Sequence, residues 1–245
     1  MYIYEGKNYE DVSERAAMVI AAEMMMKPDL VLGLATGSSP VGMYKKLVQW
    51  HREGKLDFSR ATSVNLDEYK GLGGDHDQSY RYFMNDNLFN HVNIDKEKTH
   101  VPNGLEPDAD KACAAYNALL DAVGKVDVQV LGLGGNGHIG FNEPDERFTT
   151  RTHCVRLEES TIQANARFFA SAEEVPTQAY TMGIGDIMSA RKIIVIATGE
   201  QKAKALYDTI CGPVTPRVPG SVLQLHSQVA VFADAAALSL VKEKQ

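Results

Sequence analysis

The sequence has few cysteines, no long apolar run and no excess of positive charge, and each shortage argues against a class of protein. Three cysteines among 245 residues, none in CxxC spacing, favour neither a disulfide framework nor a zinc site. The sequence contains no run of about 18 apolar residues, the length that would suggest a membrane-spanning helix. A net charge of −7 argues against nucleic acid or an anionic membrane as the main partner. We therefore expect a soluble, cytoplasmic protein that binds any anion at a local site.

Short apolar runs alternate with amphipathic stretches along the whole chain, a pattern typical of a mostly parallel sheet covered by helices on both faces. We expect a Rossmann-like α/β fold. Residues 1–245 should form a single domain, because no Pro/Gly/Ser-rich linker divides them. The predicted strands are residues 2–4, 30–35, 62–66, 126–133, 151–157, 179–184, 192–197 and 229–233. The predicted helices include residues 9–26, 40–54, 78–90, 109–123 and 158–170.

A glycine-rich stretch, LGLGGNGHIGFNEP at residues 131–144, follows the predicted strand 126–133. The carboxyl edge of an open α/β sheet is where ligands bind, so this loop is a candidate active-site loop. It also contains the GxGxxG pattern of dinucleotide-binding turns, which requires the last glycine to open a helix. Here Gly137 leads into HIGFNEP instead, with a further glycine and a proline. The remaining alternative is a tight turn in which His138 is a core histidine and Glu143 a surface carboxylate.

Two other predicted strands also end in polar residues. Residues 36–40, TGSSP, follow strand 30–35 and precede a helix, so free N–H groups and the helix dipole favour a phosphate there. The alternative is that Ser38 or Ser39 is only a helix N-cap. Asp67 and Glu68 follow strand 62–66 and suit acid/base chemistry, although a solvated acidic loop is commoner for such a pair. A parallel sheet would bring these loops and residues 134–143 to one edge. This convergence favours an active site, without a metal-ligand cluster or a nucleophilic cysteine.

At these residues the chain resembles the glucosamine-6-phosphate deaminase family of the NagB type. The matching stretches are GLATGSSP at 33–40, NLDEY at 65–69, GNGHIGFNEP at 135–144, ANARFF at 164–169, GEQKA at 199–203 and LQLH at 223–226. They cover the chain nearly end to end. The pairing of NLDEY with GHIGFNEP is highly specific.

The resemblance implies conversion of glucosamine 6-phosphate and water to fructose 6-phosphate and ammonia, without an organic cofactor. It implies that Asp67 is the enolisation base, taking the proton from carbon 2 and returning it to carbon 1. His138 would handle the anomeric hydroxyl proton in ring opening, with Glu143 as its supporting carboxylate. Many family members have Asp where this chain has Asn136, an amide that can orient the histidine ring but not stabilise its charge.

The resemblance also implies how a sugar phosphate would be held. The matching phosphate-binding residues are Thr36, Gly37, Ser38, Ser39, Arg167 and Lys202. Arg and Lys side chains make charge-assisted hydrogen bonds to phosphate. Residues 158–176 would form a lid that closes over the substrate and excludes water.

Rival interpretations come from inside and outside the family. A 6-phosphogluconolactonase or a pentose-phosphate isomerase would share the fold but not the pairing of the two motifs. A silent sugar-phosphate sensor would not need both Asp67 and His138. Where hexameric, allosterically activated members carry an Arg and a Lys, this chain has His153 and Val155. We therefore expect a monomer or small homo-oligomer with hyperbolic kinetics.

Overall fold

The computed structural model describes residues 1–167, 169, 171 and 174–242. The strands are β1 (Tyr2–Gly6), β2 (Val31–Leu34), β3 (Thr62–Asn65), β4 (Asp67–Tyr69), β5 (Thr99–His100), β6 (Val128–Gly132), β7 (His153–Arg156), β8 (Gln178–Thr181), β9 (Lys192–Ala197) and β10 (Val229–Asp234). The helices are α1 (Tyr9–Met26), α2 (Val41–Arg52), α3 (Tyr80–Met84), α4 (Ala109–Val123), α5 (Glu159–Ala166), α6 (Ile184–Met188), α7 (Ala203–Cys211) and α8 (Ser239–Lys242). Short 3-10 helices within the described part of the chain cover Lys96–Lys98, Glu200–Lys202 and Pro219–Leu225.

Helix α1 shows how the sequence forms these elements. The Asn8 side chain accepts a hydrogen bond from the Asp11 N–H and caps the first turn. Val12, Ala16 and Ile20 recur every four residues and are fully buried, so one apolar face packs on the sheet. Among the described residues, no helix has the length and apolar character needed to cross a bilayer.

The main sheet has seven parallel strands in the order β1-β10-β9-β6-β2-β3-β5. This confirms the predicted α/β class. From β2 the chain builds outward through β3 and β5, then returns to place β6 on the other side of β2. The direction of winding therefore switches between β2 and β6, and the crevice outside their carboxyl ends is the expected ligand site.

A second, three-stranded antiparallel sheet, in the order β4-β8-β7, was not predicted. Predicted strand 179–184 is β8, which ends at Thr181, and Ile184 already begins α6. Predicted strand 151–157 is the shorter β7. A single residue, Leu66, separates the end of β3 at Asn65 from the start of β4, so Asp67 is the first residue of a strand and does not lie in a loop.

Two predicted helices are shorter or less regular than expected. Predicted helix 78–90 is α3 followed by a π-helical turn at Asn85–Phe89. Predicted helix 158–170 is α5, with Arg167 as its C-cap. The predicted lid at residues 158–176 includes positions 168, 170, 172 and 173, which lie outside the described residues, so the lid stays a prediction.

Candidate active site

Four neighbouring strands, β3, β2, β6 and β9, direct polar residues to one cavity at the carboxyl edge of the main sheet. The cavity has a volume of about 410 Å³. Nine of the ten predicted site residues line it: Thr36, Gly37, Ser38, Ser39, Asp67, Asn136, His138, Arg167 and Lys202. The tenth, Glu143, lies behind His138 and is bonded to it. The edge of the parallel sheet therefore brings together the residues that the sequence separates by up to 166 positions.

The loop after β2 forms one wall. Gly37 has φ +80°, a left-handed conformation that glycine adopts without strain. Pro40 is the N-cap of α2 and no side chain caps this helix, so neither Ser38 nor Ser39 is the N-cap. The Tyr9 hydroxyl instead holds the loop from outside, donating to the Ser38 carbonyl at 3.0 Å. The loop is thus fixed from behind, with its hydroxyls on the cavity side.

Two cations lie at the same end of the cavity. Lys202 Nζ donates to the Leu133 carbonyl at 2.6 Å, which fixes the ammonium beside the end of β6. Burial lowers the pKa of Lys202, and the nearby Arg167 guanidinium lowers it further. Two cations that line the same cavity as the loop before α2 suit a bound phosphate.

The glycine-rich loop places His138 against a carboxylate. His138 Nδ1 lies 3.2 Å from Glu143 Oε2, and Asn136 Nδ2 donates to the same oxygen at 2.8 Å. The Asn136 Oδ1 accepts the His138 N–H at 3.1 Å, closing a small network. Burial opposes ionisation of Glu143, but the bonds to His138 and Asn136 lower its pKa overall. The carboxylate therefore holds Nδ1, which leaves Nε2 for the cavity.

Two glycines of this loop are required by its shape. A Cβ at Gly134 would lie 2.4 Å from the His138 ring, and Gly137 has φ +84°. After Gly137 the chain makes a tight turn closed by the Ile139–Asn142 bridge, and no helix begins there. The dinucleotide-binding turn therefore does not form, because Gly137 opens no helix that could face a pyrophosphate.

Asp67 lies on β4 opposite Thr181 of β8 and is 5% exposed. Among the described residues, no side chain or backbone group forms a hydrogen bond or an ion pair with its carboxylate. Burial raises its pKa well above the ordinary value, and the Glu68 charge raises it further. A desolvated carboxylate with a raised pKa in a cleft is the state expected of a general base.

Several residues of the cavity were not among the predicted site residues. Tyr80 and Phe141 form an aromatic wall, with centroids 5.8 Å apart and planes 13° from parallel. Tyr69 packs behind Tyr80 at 4.9 Å. From α5 the cavity is lined by Ser160, Thr161, Ala164 and Asn165. The predicted lid at residues 158–176 and the ANARFF match at residues 164–169 both pointed to α5, whereas no motif marked Tyr80.

A wider depression of about 710 Å³ lies away from these residues. Arg151 there donates to both Asp121 and Asp186 at 2.8 Å, so these charges already pair with one another. Among the described residues, no group of three or more His, Cys, Asp or Glu side chains could hold a metal ion.

Comparison with known proteins gives a consistent result. The family model described as glucosamine-6-phosphate isomerases/6-phosphogluconolactonase matches residues 6–232. Glucosamine-6-phosphate deaminase from Clostridium perfringens strain ATCC 13124 is 55% identical over 242 residues, covering 99% of this chain and 100% of the relative. The deaminase from Clostridioides difficile is 56% identical over 244 residues, covering 100% of this chain and 98% of the relative.

Two solved structures have folds similar to that of this chain. One described as a monomeric glucosamine-6-phosphate deaminase matches with a TM-score of 0.96 and 44% identity, covering 98% of this chain and 100% of that chain. A 6-phosphogluconolactonase from Leishmania guyanensis matches with a TM-score of 0.76 and 18% identity, covering 97% of each chain. This second likeness shows a shared fold alone.

Proposed function

This chain belongs to the family of glucosamine-6-phosphate isomerases and 6-phosphogluconolactonases, and we propose that it converts glucosamine 6-phosphate and water to fructose 6-phosphate and ammonia. One observation carries the proposal: Asp67, His138 and the Arg167–Lys202 pair line one cavity in a chain more than half identical to full-length deaminases. Ring opening and isomerisation of a phosphorylated amino sugar require this combination of a base, an acid/base group and an anion site.

The phosphate group is held by the loop of residues 36–39 together with Arg167 and Lys202. This anchors the sugar at the switch point of the sheet and leaves the ring between His138 and Asp67. Interactions with a remote phosphate fix the position of the reacting carbons.

Ring opening comes first. His138 Nε2 takes the proton from the anomeric hydroxyl and returns a proton to the ring oxygen, giving the open-chain aldehyde. The task suits an imidazole, which ordinarily titrates near pH 6.5 and can both take and give a proton. Glu143 stabilises the transient imidazolium, and the Asn136 amide holds Glu143 in place.

Isomerisation and deamination follow. Asp67 removes the proton from carbon 2, which is acidified by the adjacent ammonium, and delivers a proton to carbon 1. The carbon 1 oxygen gains a proton and the ammonium loses one, so the double bond then lies between carbon 2 and nitrogen. Water adds to this imine, ammonia leaves, and fructose 6-phosphate remains. The steps are proton transfers, opening of the ring, addition of water and loss of ammonia, so the conversion needs no oxidant or reductant.

The alternative within the family is hydrolysis of 6-phosphogluconolactone, and the alternative outside it is a silent sensor. Purified protein incubated with glucosamine 6-phosphate should release ammonia and form an equal amount of fructose 6-phosphate. Acid release from 6-phosphogluconolactone without ammonia from the amino sugar would favour the lactonase, and tight binding without turnover would favour the sensor.

We also propose a cytoplasmic monomer or small homo-oligomer with hyperbolic kinetics. The structural relative with 44% identity is described as monomeric, which supports the smaller assembly. On β7, Val155 carries no charge, and burial lowers the pKa of His153, so neither supplies a fixed cation for an activating phosphate. A hexamer by light scattering, with a sigmoidal rate curve that N-acetylglucosamine 6-phosphate makes hyperbolic, would contradict this.

A further inference from the structure

Glu68, the residue after the proposed base, is a buried carboxylate with three backbone donors. It is 2% exposed and lies on β4. Its Oε1 accepts the Tyr69 N–H at 2.9 Å and the Tyr80 N–H at 2.8 Å. Its Oε2 accepts the Arg81 N–H at 2.9 Å. One side chain therefore joins the strand that carries Asp67 to the first turn of α3.

This carboxylate has little compensation from positive charge. The Arg81 guanidinium, the cation on α3, instead donates to the Thr99 hydroxyl and the Thr99 carbonyl, both at 2.8 Å. Burial raises the pKa of Glu68 to about 7, although the backbone bonds from Tyr80, Arg81 and Tyr69 and, last, the Arg81 charge act in the opposite direction. The ionised carboxylate of Glu68 accepts three backbone N–H groups best, because neither of its oxygens carries a proton.

The bond to Tyr80 connects Glu68 to the cavity wall. Tyr80 lines the cavity and stacks on Phe141, the aromatic residue of the glycine-rich loop. Asp67 and Glu68 are adjacent in a strand, so their side chains lie on opposite faces, with Asp67 toward the cavity. Glu68 thus supports the wall from behind while its charge acts on Asp67 across one peptide unit.

We propose that Glu68 is a positioning residue for the deamination: it fixes Tyr80 in the cavity wall and keeps a second negative charge beside Asp67. This inference rests on the proposed function. A base is more effective when its pKa approaches the working pH, and a neighbouring like charge moves a carboxylate in that direction.

The other ionisable groups around this pair are mostly tyrosines. Burial raises the pKa of each of them above the ordinary value of 10: they are Tyr69, Tyr80, Tyr116 and Tyr180. They are therefore neutral near pH 7. Burial, followed by the Arg81 charge, lowers the pKa of His100 on β5. Of the ionisable groups named here, Asp67 and Glu68 are the two whose pKa values burial moves toward neutral pH.

The test is the pH dependence of kcat/KM for ammonia release by wild type, Glu68→Gln and Glu68→Asp. Glu68→Gln removes the charge, so Asp67 becomes a weaker base. We expect the acid limb to move to lower pH and the maximal kcat to fall about tenfold, less than the roughly 10²–10⁴ loss on removing a general base. Glu68→Asp keeps the charge but is one carbon shorter, so kcat should fall while the acid limb stays near the wild-type pH.

Asp108→Asn is the matched control, since Asp108 is an exposed carboxylate that caps α4 away from the cavity. It should change neither kcat nor the acid limb. A folded Glu68→Gln variant with the wild-type acid limb would overturn the inference and leave Glu68 a helix cap alone. If Glu68→Gln does not fold, wild-type kcat in Glu68→Asp would overturn it. Absence of ammonia release by wild type would instead contradict the proposed function.

Discussion

Two buried aspartates at opposite ends of the sheet differ in what surrounds them. Asp67, at the carboxyl edge, and Asp127, which precedes β6 at the amino edge, are each 5% exposed. Asp127 pairs with Lys27 at 2.6 Å and Arg191 at 3.1 Å and accepts the Val31 N–H at 2.8 Å. Asp67 has no comparable partner among the described residues.

Burial alone therefore does not identify a catalytic carboxylate. A buried charge is usually compensated by partners, as Asp127 is. A carboxylate left without compensation, in a cleft, has its pKa raised and remains available to a substrate proton. We infer that the amino edge uses its aspartate to hold the sheet together and the carboxyl edge uses its aspartate for chemistry.

The largest expected effect is on catalysis. Asp67→Asn keeps the shape of the side chain but removes its basicity, so turnover should fall by at least about 10²–10⁴ while substrate binding is largely kept. Ammonia release and isothermal calorimetry with a non-reacting phosphosugar would measure the two quantities. Near-normal turnover would remove Asp67 from the mechanism.

Lys202 at the carboxyl edge and Lys27 at the amino edge allow a second comparison. Lys202→Ala should weaken phosphosugar binding by about 1.5–3 kcal/mol, the usual contribution of one charged hydrogen bond. Arg167→Ala should act in the same way. Lys27→Ala, which removes a partner of Asp127, is the matched control and should leave binding unchanged. Wild-type affinity in the Lys202 variant would show that the phosphate lies elsewhere.

Asp127→Asn should have the opposite phenotype to Asp67→Asn. The amide can still accept the Val31 N–H but loses two ion pairs, whose cationic side chains are 45% and 63% exposed and therefore partly screened. The free energy of unfolding should fall by roughly 1–2 kcal/mol, with kcat/KM close to wild type. Urea unfolding would measure the loss. A large loss of activity in a folded variant would break the comparison.

Much of this comparison could be predicted from the sequence, but only for the carboxyl edge. The apolar run before residues 131–144 and the polar residues after two other strands located the edge, and the NLDEY match located Asp67. Asp127 carried no motif. β4 escaped prediction because three residues, DEY, are too short to show a period. Two of the three donors to Glu68, Tyr80 and Arg81, lie 12 and 13 positions away, so only the folded chain brings them to it.

The smallest expected effect is the pH dependence of stability. The folded state raises the pKa of Asp67, so it binds more protons than the unfolded state. This contribution to stability is complete below the unfolded pKa and is lost as pH rises through the folded pKa. Asp67→Asn does not suffer that loss, so its unfolding free energy relative to wild type should increase from about pH 4 toward pH 8. A difference that stays constant over this range would contradict the sign.

The proposed chemistry requires Asp67 to be a buried base whose charge is compensated by no cation among the described residues. Carboxyl carbon-13 NMR measures this most directly: wild-type protein is titrated with acid, and the Asp67 signal is assigned by its loss in the Asp67→Asn variant. We expect the Asp67 carboxyl to titrate well above the ordinary value of 3.8. Titration at or below that value would show that the charge of Asp67 is compensated in the folded protein and that Asp67 is not the base proposed here.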